Sequence, residues 1–211
     1  MTSKILNIVL ALAVVILAVE LTLAKQNASE PQAETATAEA SALTAIAQRA
    51  SVRAYSDQKV EEEKVKALLR AAMAAPTARD SRPWAFVVIK DRNVLNAIAD
   101  TLRNSKMAAK AQLAIAVCGD MTKAMEGEGR DFWIQDASAA TENLLIAATA
   151  QGLGAVWTGI YPSAERTALV REILGLPEHI IPLNIIPIGY PAAEVTPKDK
   201  WDPSRIHYDR W

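Results

Sequence analysis

Apolar residues recur along the chain with two different periods, and the switches between them mark out its elements. Val65, Leu68, Leu69, Ala72 and Met73 fall at i, i+3, i+4, i+7 and i+8, one stripe of an amphipathic helix that must stop before Pro76. The run from Ala85 to Lys90, closed by Asp91, predicts a short strand. A helix is expected over Asn93 to Arg103, and the unbroken apolar run Leu113 to Cys118 predicts a buried strand. Ala137, Ala140, Thr141, Leu144, Leu145 and Ala148 mark a long helix that Gly152 and Gly154 end. A third strand begins over Ala155 to Thr158. Ser163 offers the short side-chain oxygen of a helix N-cap and Gly175 a helix end, with the helix between them reaching Leu174. Ile180 to Ile188 predicts a fourth strand, interrupted at Pro182 and Pro187. Helices and strands alternate irregularly, which points to an α+β or three-layer α/β domain.

Ahead of this folded pattern the periodicity disappears. Lys4 precedes an apolar run from Ile5 to Val19 that contains one polar residue, Asn7; Glu20 interrupts it, and Thr22 and Ala24 follow. A positive start, such a run and small residues at its end predict a secretory signal cleaved after Ala24 or an uncleaved membrane anchor, over residues 1–24. Lys4 and the free amine favour a cytoplasmic N-terminus, so the domain is expected outside the cytoplasmic membrane, periplasmic or extracytoplasmic. No cysteine follows the run, which excludes a lipoprotein anchor. Residues 25–42 are rich in Ala, Glu, Thr and Ser, without a large apolar side chain, and are expected to be a polar linker. Residues 43–211 form the expected domain.

Composition removes several functions. The formal net charge is −1, with no basic stripe, so nucleic acid is not an expected partner. A single cysteine, Cys118, excludes an intramolecular disulfide and a cysteine metal cluster, and two histidines make a histidine-held metal improbable. Redox chemistry here would therefore need an organic cofactor.

Four clusters could carry such chemistry. Arg49-Ala50-Ser51-Val52-Arg53 places two forked cations around a hydroxyl, a donor set suited to phosphate. Ala75-Pro76-Thr77 through Pro83-Trp84 is a loop between helix and strand that could face a planar ligand, or be no more than a rigid turn. Gly152 to Pro162 contains glycines that let backbone approach a ligand closely. The tail from Pro197 to Trp211 carries Lys198, Lys200 and Arg205 beside three aromatics, and is expected to dock on the domain or on a partner subunit.

The order of these motifs (R-x-S-x-R, a helix, A-P-T and P-W, a long helix ending G-L-G-x-x-W-x-G, then I-G-Y-P and K-x-K-W with H-Y-x-x-W) resembles the flavin-dependent nitroreductase family over about Ile46 to Trp211. The resemblance implies an α+β, three-layer α/β/α fold with a mixed, mainly antiparallel sheet flanked by helices, in a domain-intertwined homodimer. It implies FMN as cofactor. Arg49, Ala50 and Ser51, with Lys200 or Arg205, would hold its phosphate, and Arg53 would sit beside N1 and the C2 carbonyl. Pro76, Thr77 and Asp80 belong to the loop along the ring, and Trp157, Thr158 and Gly159 to the segment whose backbone faces N5. No side chain is expected to act as acid or base. Asp80 and Arg82 stand where family members often have Asn and Gln, and a carboxylate there opposes an anionic reduced flavin unless Arg79 or Arg82 pairs with it.

The implied function is ping-pong hydride transfer from NAD(P)H, or another donor, to nitroaromatics, quinones or similar planar acceptors. The alternatives are a tethered flavin-binding or interaction domain without turnover, and a relative of the reductive dehalogenase type.

Overall fold

The computed structural model describes residues 16–22 and 42–211, and divides into units Met1–Thr44 and Ala45–Trp211. In the first unit residues 16–22 are helical and exposed. The rest of the expected signal or anchor, and nearly all of the expected linker, lies outside the described residues. Among the described residues no helix is long and apolar enough to cross a membrane.

The helices are α1 (residues 42–48), α2 (Glu62–Met73), α3 (Arg92–Thr101), α4 (Phe132–Ala150) and α5 (Ala164–Leu174). The strands are β1 (Trp84–Ile89), β2 (Leu113–Asp120), β3 (Gly154–Ala155), β4 (Thr158–Gly159) and β5 (Ile180–Gly189). They form one antiparallel sheet in the order β1-β2-β5-β3, with β4 also on β5. Alternation along β2 explains the layers. Leu113, Ile115 and Val117 meet α2 and α4 in one core, while Ala114, Ala116 and Cys118 meet α3 and α5 in the other. The result is the expected α/β/α sandwich.

Three elements depart from the sequence pattern. The predicted third strand is two pieces of two residues each, β3 and β4, separated by Val156 and Trp157. The helix expected to reach Arg103 stops at Thr101 because Leu102 is extended (φ −105°, ψ 101°) with its side chain in the core; a 3-10 segment, Arg103–Lys110, follows. β5 is continuous through both prolines. Pro182 adjoins the register shift opposite Val117 and Cys118, where Leu183 is the extra residue. Pro187 lies between the stretches of β5 paired with β4 and with β3, where its missing N–H leaves no bond unmade.

The predicted caps are present. The Ser163 side chain accepts from Arg166 N, and Gly175 adopts the left-handed conformation (φ 61°). Asp91 caps α3 through Asn93 N at 2.7 Å.

Cys118 is the small core residue its surroundings suggest. Burial pushes its thiol up to about 12, so at pH 8 the thiol stays protonated and unreactive. Iodoacetamide at pH 8 should leave native protein unlabelled and modify one site after denaturation; rapid labelling of the native form, read by mass spectrometry, would refute this placement.

Candidate flavin site

The turn after α1 is tied to β3 by backbone. Ser51 bridges Ala155 of β3, and Val52 N donates to Ala155 O at 3.0 Å. Gly154 makes this approach possible, since a Cβ there would stand 2.6 Å from Val52 Cγ1. Tyr55 locks the far side: its buried hydroxyl lies 2.8 Å from Val52 O and 3.0 Å from Pro187 O, and its single hydrogen is shared between these two carbonyls. Burial raises its phenol above the ordinary value, so it stays a neutral donor.

This turn and the C-terminal tail enclose a cavity of about 260 Å³ lined by Arg49, Ala50, Ser51, Arg53, Thr196, Lys198 and Lys200. Cations from both ends of the domain thus converge. Arg49 Nε is 3.1 Å from Glu142 Oε1 of α4, which fixes its side chain and offsets part of its charge. Arg53, Lys198 and Lys200 have no ion-pair partner among the described residues, so the cavity keeps a positive excess. Spacing in sequence suggested every member except Thr196.

Arg205 is not in that wall. It pairs with Asp202 at 2.9 Å, three residues back, on the exposed tail. Nor do the tail's aromatics dock on the domain of their own chain: Trp201, Tyr208 and Trp211 are exposed, and His207 stacks on Trp211 at 4.0 Å.

Pro76, Thr77 and Asp80 lie together on the loop after α2, away from the walls of that cavity. Two groups hold the loop. The buried Asp136 of α4 accepts from Ala78 N at 2.9 Å, and Thr77 Oγ1 accepts from Arg82 N at 3.1 Å. Arg79, Asp80 and Arg82 have left-handed backbone (φ 53°, 54° and 48°). Arg82 grips Asp80 with two bonds, 2.8 and 2.6 Å, which hold the Asp80 carboxyl below its ordinary range. The departure from Asn and Gln therefore introduces a closed ion pair in place of a bare carboxylate.

Trp157 to Gly159 crosses β5 at Asn184 and Ile185. The Thr158 hydroxyl is buried, donating to Ile185 O (2.6 Å) and accepting from Ser105 (2.9 Å), so its side chain is committed internally. Asn104 Nδ2 and an Arg166 amino group clasp Gly159 O at 3.0 and 2.7 Å. Nothing in the sequence spacing announces that clasp, because Asn104 comes from a distant segment and Arg166 carries no motif.

Residues 46–120 and 99–190 match the model of the Nitroreductase family. The chain belongs to the nitroreductase family. A nitroreductase-family relative from Methanothermobacter thermautotrophicus, provisionally named NADH dehydrogenase/NAD(P)H nitroreductase, is 44% identical over 170 residues, covering 80% of this chain and 87% of the relative. A crystal structure under the same provisional name from Parabacteroides distasonis superposes with a TM-score of 0.77 at 47% identity, covering 81% of this chain and 98% of that one. A provisionally named nitroreductase from Desulfovibrio desulfuricans, solved in complex with FMN, superposes at 0.68 with 30% identity, covering 81% and 97%.

Proposed function

We propose that this nitroreductase-family chain is an FMN-dependent oxidoreductase that takes hydride from NAD(P)H and passes two electrons to a nitroaromatic, quinone or similar planar acceptor. The cavity where Arg49 and Ser51 meet Lys198 and Lys200, with Arg53 in the same wall, carries the reading, because the first four fit a dianionic phosphate. Its volume, about 260 Å³, suits a phosphate with part of its sugar chain and leaves the ring outside. A relative from Bacillus subtilis named FMN reductase (NADPH), 24% identical, and the FMN complex above support the same cofactor.

FMN, when bound, supplies a ring that accepts and releases two electrons. The chain's residues bind and orient it. Arg49, Ala50, Ser51 and Lys200 hold the phosphate, with Lys198 beside them. Arg53 places a cation toward N1 and the C2 carbonyl, where reduction builds negative charge. Pro76, Thr77 and Asp80 border the ring, and the Asp80–Arg82 pair keeps net charge off that edge. Trp157, Thr158 and Gly159 offer backbone to its reactive side. The overall change balances with one proton from solvent: a quinone leaves as hydroquinone, or a nitro group as nitroso plus water, while NAD(P)H becomes NAD(P)⁺. No side-chain acid or base is required beyond those that fix the ring.

The exposed tail aromatics, and β1 as an edge strand, support burial against a second copy in a homodimer. Export of residues 43–211 behind residues 1–24 rests on the positive start and apolar run of the sequence; sequencing the mature N-terminus tests it. For the activity, purified protein should be yellow, and anaerobic NADH or NADPH should bleach it. Colourless protein that takes up no added FMN would end the proposal, and a flavin that neither donor reduces would make it a binding module.

A further inference from the structure

A second cleft, of about 510 Å³, opens between the end of α3 and the start of α5. Its wall holds Arg103, Asn104, Glu165 and Arg166 beside the half-buried Leu169, with the buried Leu102 behind them. Asn104 and Arg166 connect it to the segment described above, since both donate to Gly159 O. That contact uses one amino group of Arg166, leaving its other amino group and Nε without a partner among the described residues. Arg103, exposed at the rim, has no hydrogen-bond or ion-pair partner among them. Two guanidinium groups face one carboxylate, Glu165, so the cleft has an excess of positive charge over an apolar floor.

We infer that this cleft selects planar acceptors carrying an anionic substituent, aromatic carboxylates in particular. A guanidinium matches a carboxylate with two parallel hydrogen bonds, and Leu169 offers apolar surface to the ring to which the carboxylate is attached. Arg103 supplies the free fork. Arg166 is shared, so the carboxylate is drawn to the side of the cleft nearest Gly159, and Glu165 repels a second negative group. The inference rests on the reading that Trp157 to Gly159 borders the flavin ring, and it adds the charge of the acceptor to that reading.

The test uses FMN-loaded protein without reductant, so that binding is measured apart from turnover. Calorimetric titration should give 4-nitrobenzoate about tenfold higher affinity than its neutral isostere 4-nitrobenzamide at low ionic strength, narrowing as salt is added. Arg103→Gln should bring the two affinities close together, and Arg103→Lys should restore part of the difference by charge alone. Equal affinities in the native protein, or a preference untouched by Arg103→Gln, would overturn the inference while leaving the flavoenzyme reading intact. So would an Arg103→Gln effect confined to the ratio of NADP⁺ to NAD⁺ affinity, which would give the cleft to the donor's phosphate. Protein that cannot be loaded with FMN would remove the reading, and the inference with it.

Discussion

Exchanging Arg49 and Arg53 together for glutamine is expected to weaken FMN binding by about two to three orders of magnitude. Each guanidinium removed takes away a hydrogen bond to a charged group, about 1.5–3 kcal/mol. Arg49 falls at the lower end, because Glu142 already engages its Nε at 3.1 Å. A combined loss of about 3–4 kcal/mol corresponds to that change in dissociation constant. The readout is flavin absorbance in the filtrate after ultrafiltration of holoprotein at graded dilution. A melting curve of the FMN-free protein separates lost affinity from lost fold. Both arginines are at least partly solvent-facing, so the apoprotein should melt near the native apoprotein. Retention equal to the native protein would mean that the cavity between the turn and the tail holds no phosphate.

The second large effect is predicted at a residue that touches no ligand. Gly154→Ala places a methyl carbon 2.6 Å from Val52 Cγ1 and 2.7 Å from Val52 Cβ, inside any tolerable contact. Either β3 or the Arg49–Arg53 turn must move. Overpacking of this kind costs about 1–3 kcal/mol, and here it also stretches the bridge between Ser51 and Ala155. Thermal unfolding should show the loss, and FMN should be released more readily from the folded variant. Val52→Ala in the same chain removes the Cγ1 and Cγ2 clashes but keeps Cβ, 2.7 Å from the new methyl, so the double variant should recover only part of the lost stability and flavin retention. Additive penalties in that cycle would show that the two residues do not collide, and the proposed control of the turn by β3 would be wrong.

The two periods of the apolar pattern were sufficient for the layers of this fold. Leu113 to Cys118 read as buried strand because both faces of β2 are covered, and α5 was legible at both ends because Ser163 and Gly175 each have a single structural job. The misses share a cause. Where the chain turns for tertiary reasons, local pattern is silent: Leu102 leaves the helix to reach the core, and β5 absorbs two prolines because of what lies beside it. The cationic residues of the cavity could be named from motif order, but their convergence is set by Gly154 against Val52 and by the path of the tail, neither of which spacing encodes. The clasp on Gly159 and the cleft behind it were unreadable, since Asn104 and Arg166 lie 55 and 7 residues away in helical segments that carry no motif. Arg205 shows the converse: a basic residue in a suggestive tail that the fold gives to a neighbouring aspartate.

The left-handed backbone at Arg79, Asp80 and Arg82 acts as a filter on inheritance. At such angles valine, isoleucine and threonine are nearly barred, whereas asparagine, aspartate and glycine are tolerated. An exchange between asparagine and aspartate at residue 80 is thus one of the few open to this loop, and it alters charge while leaving shape alone. Descendants of this chain can tune the electrostatics of that edge by single codon changes, but they cannot readily rebuild its path.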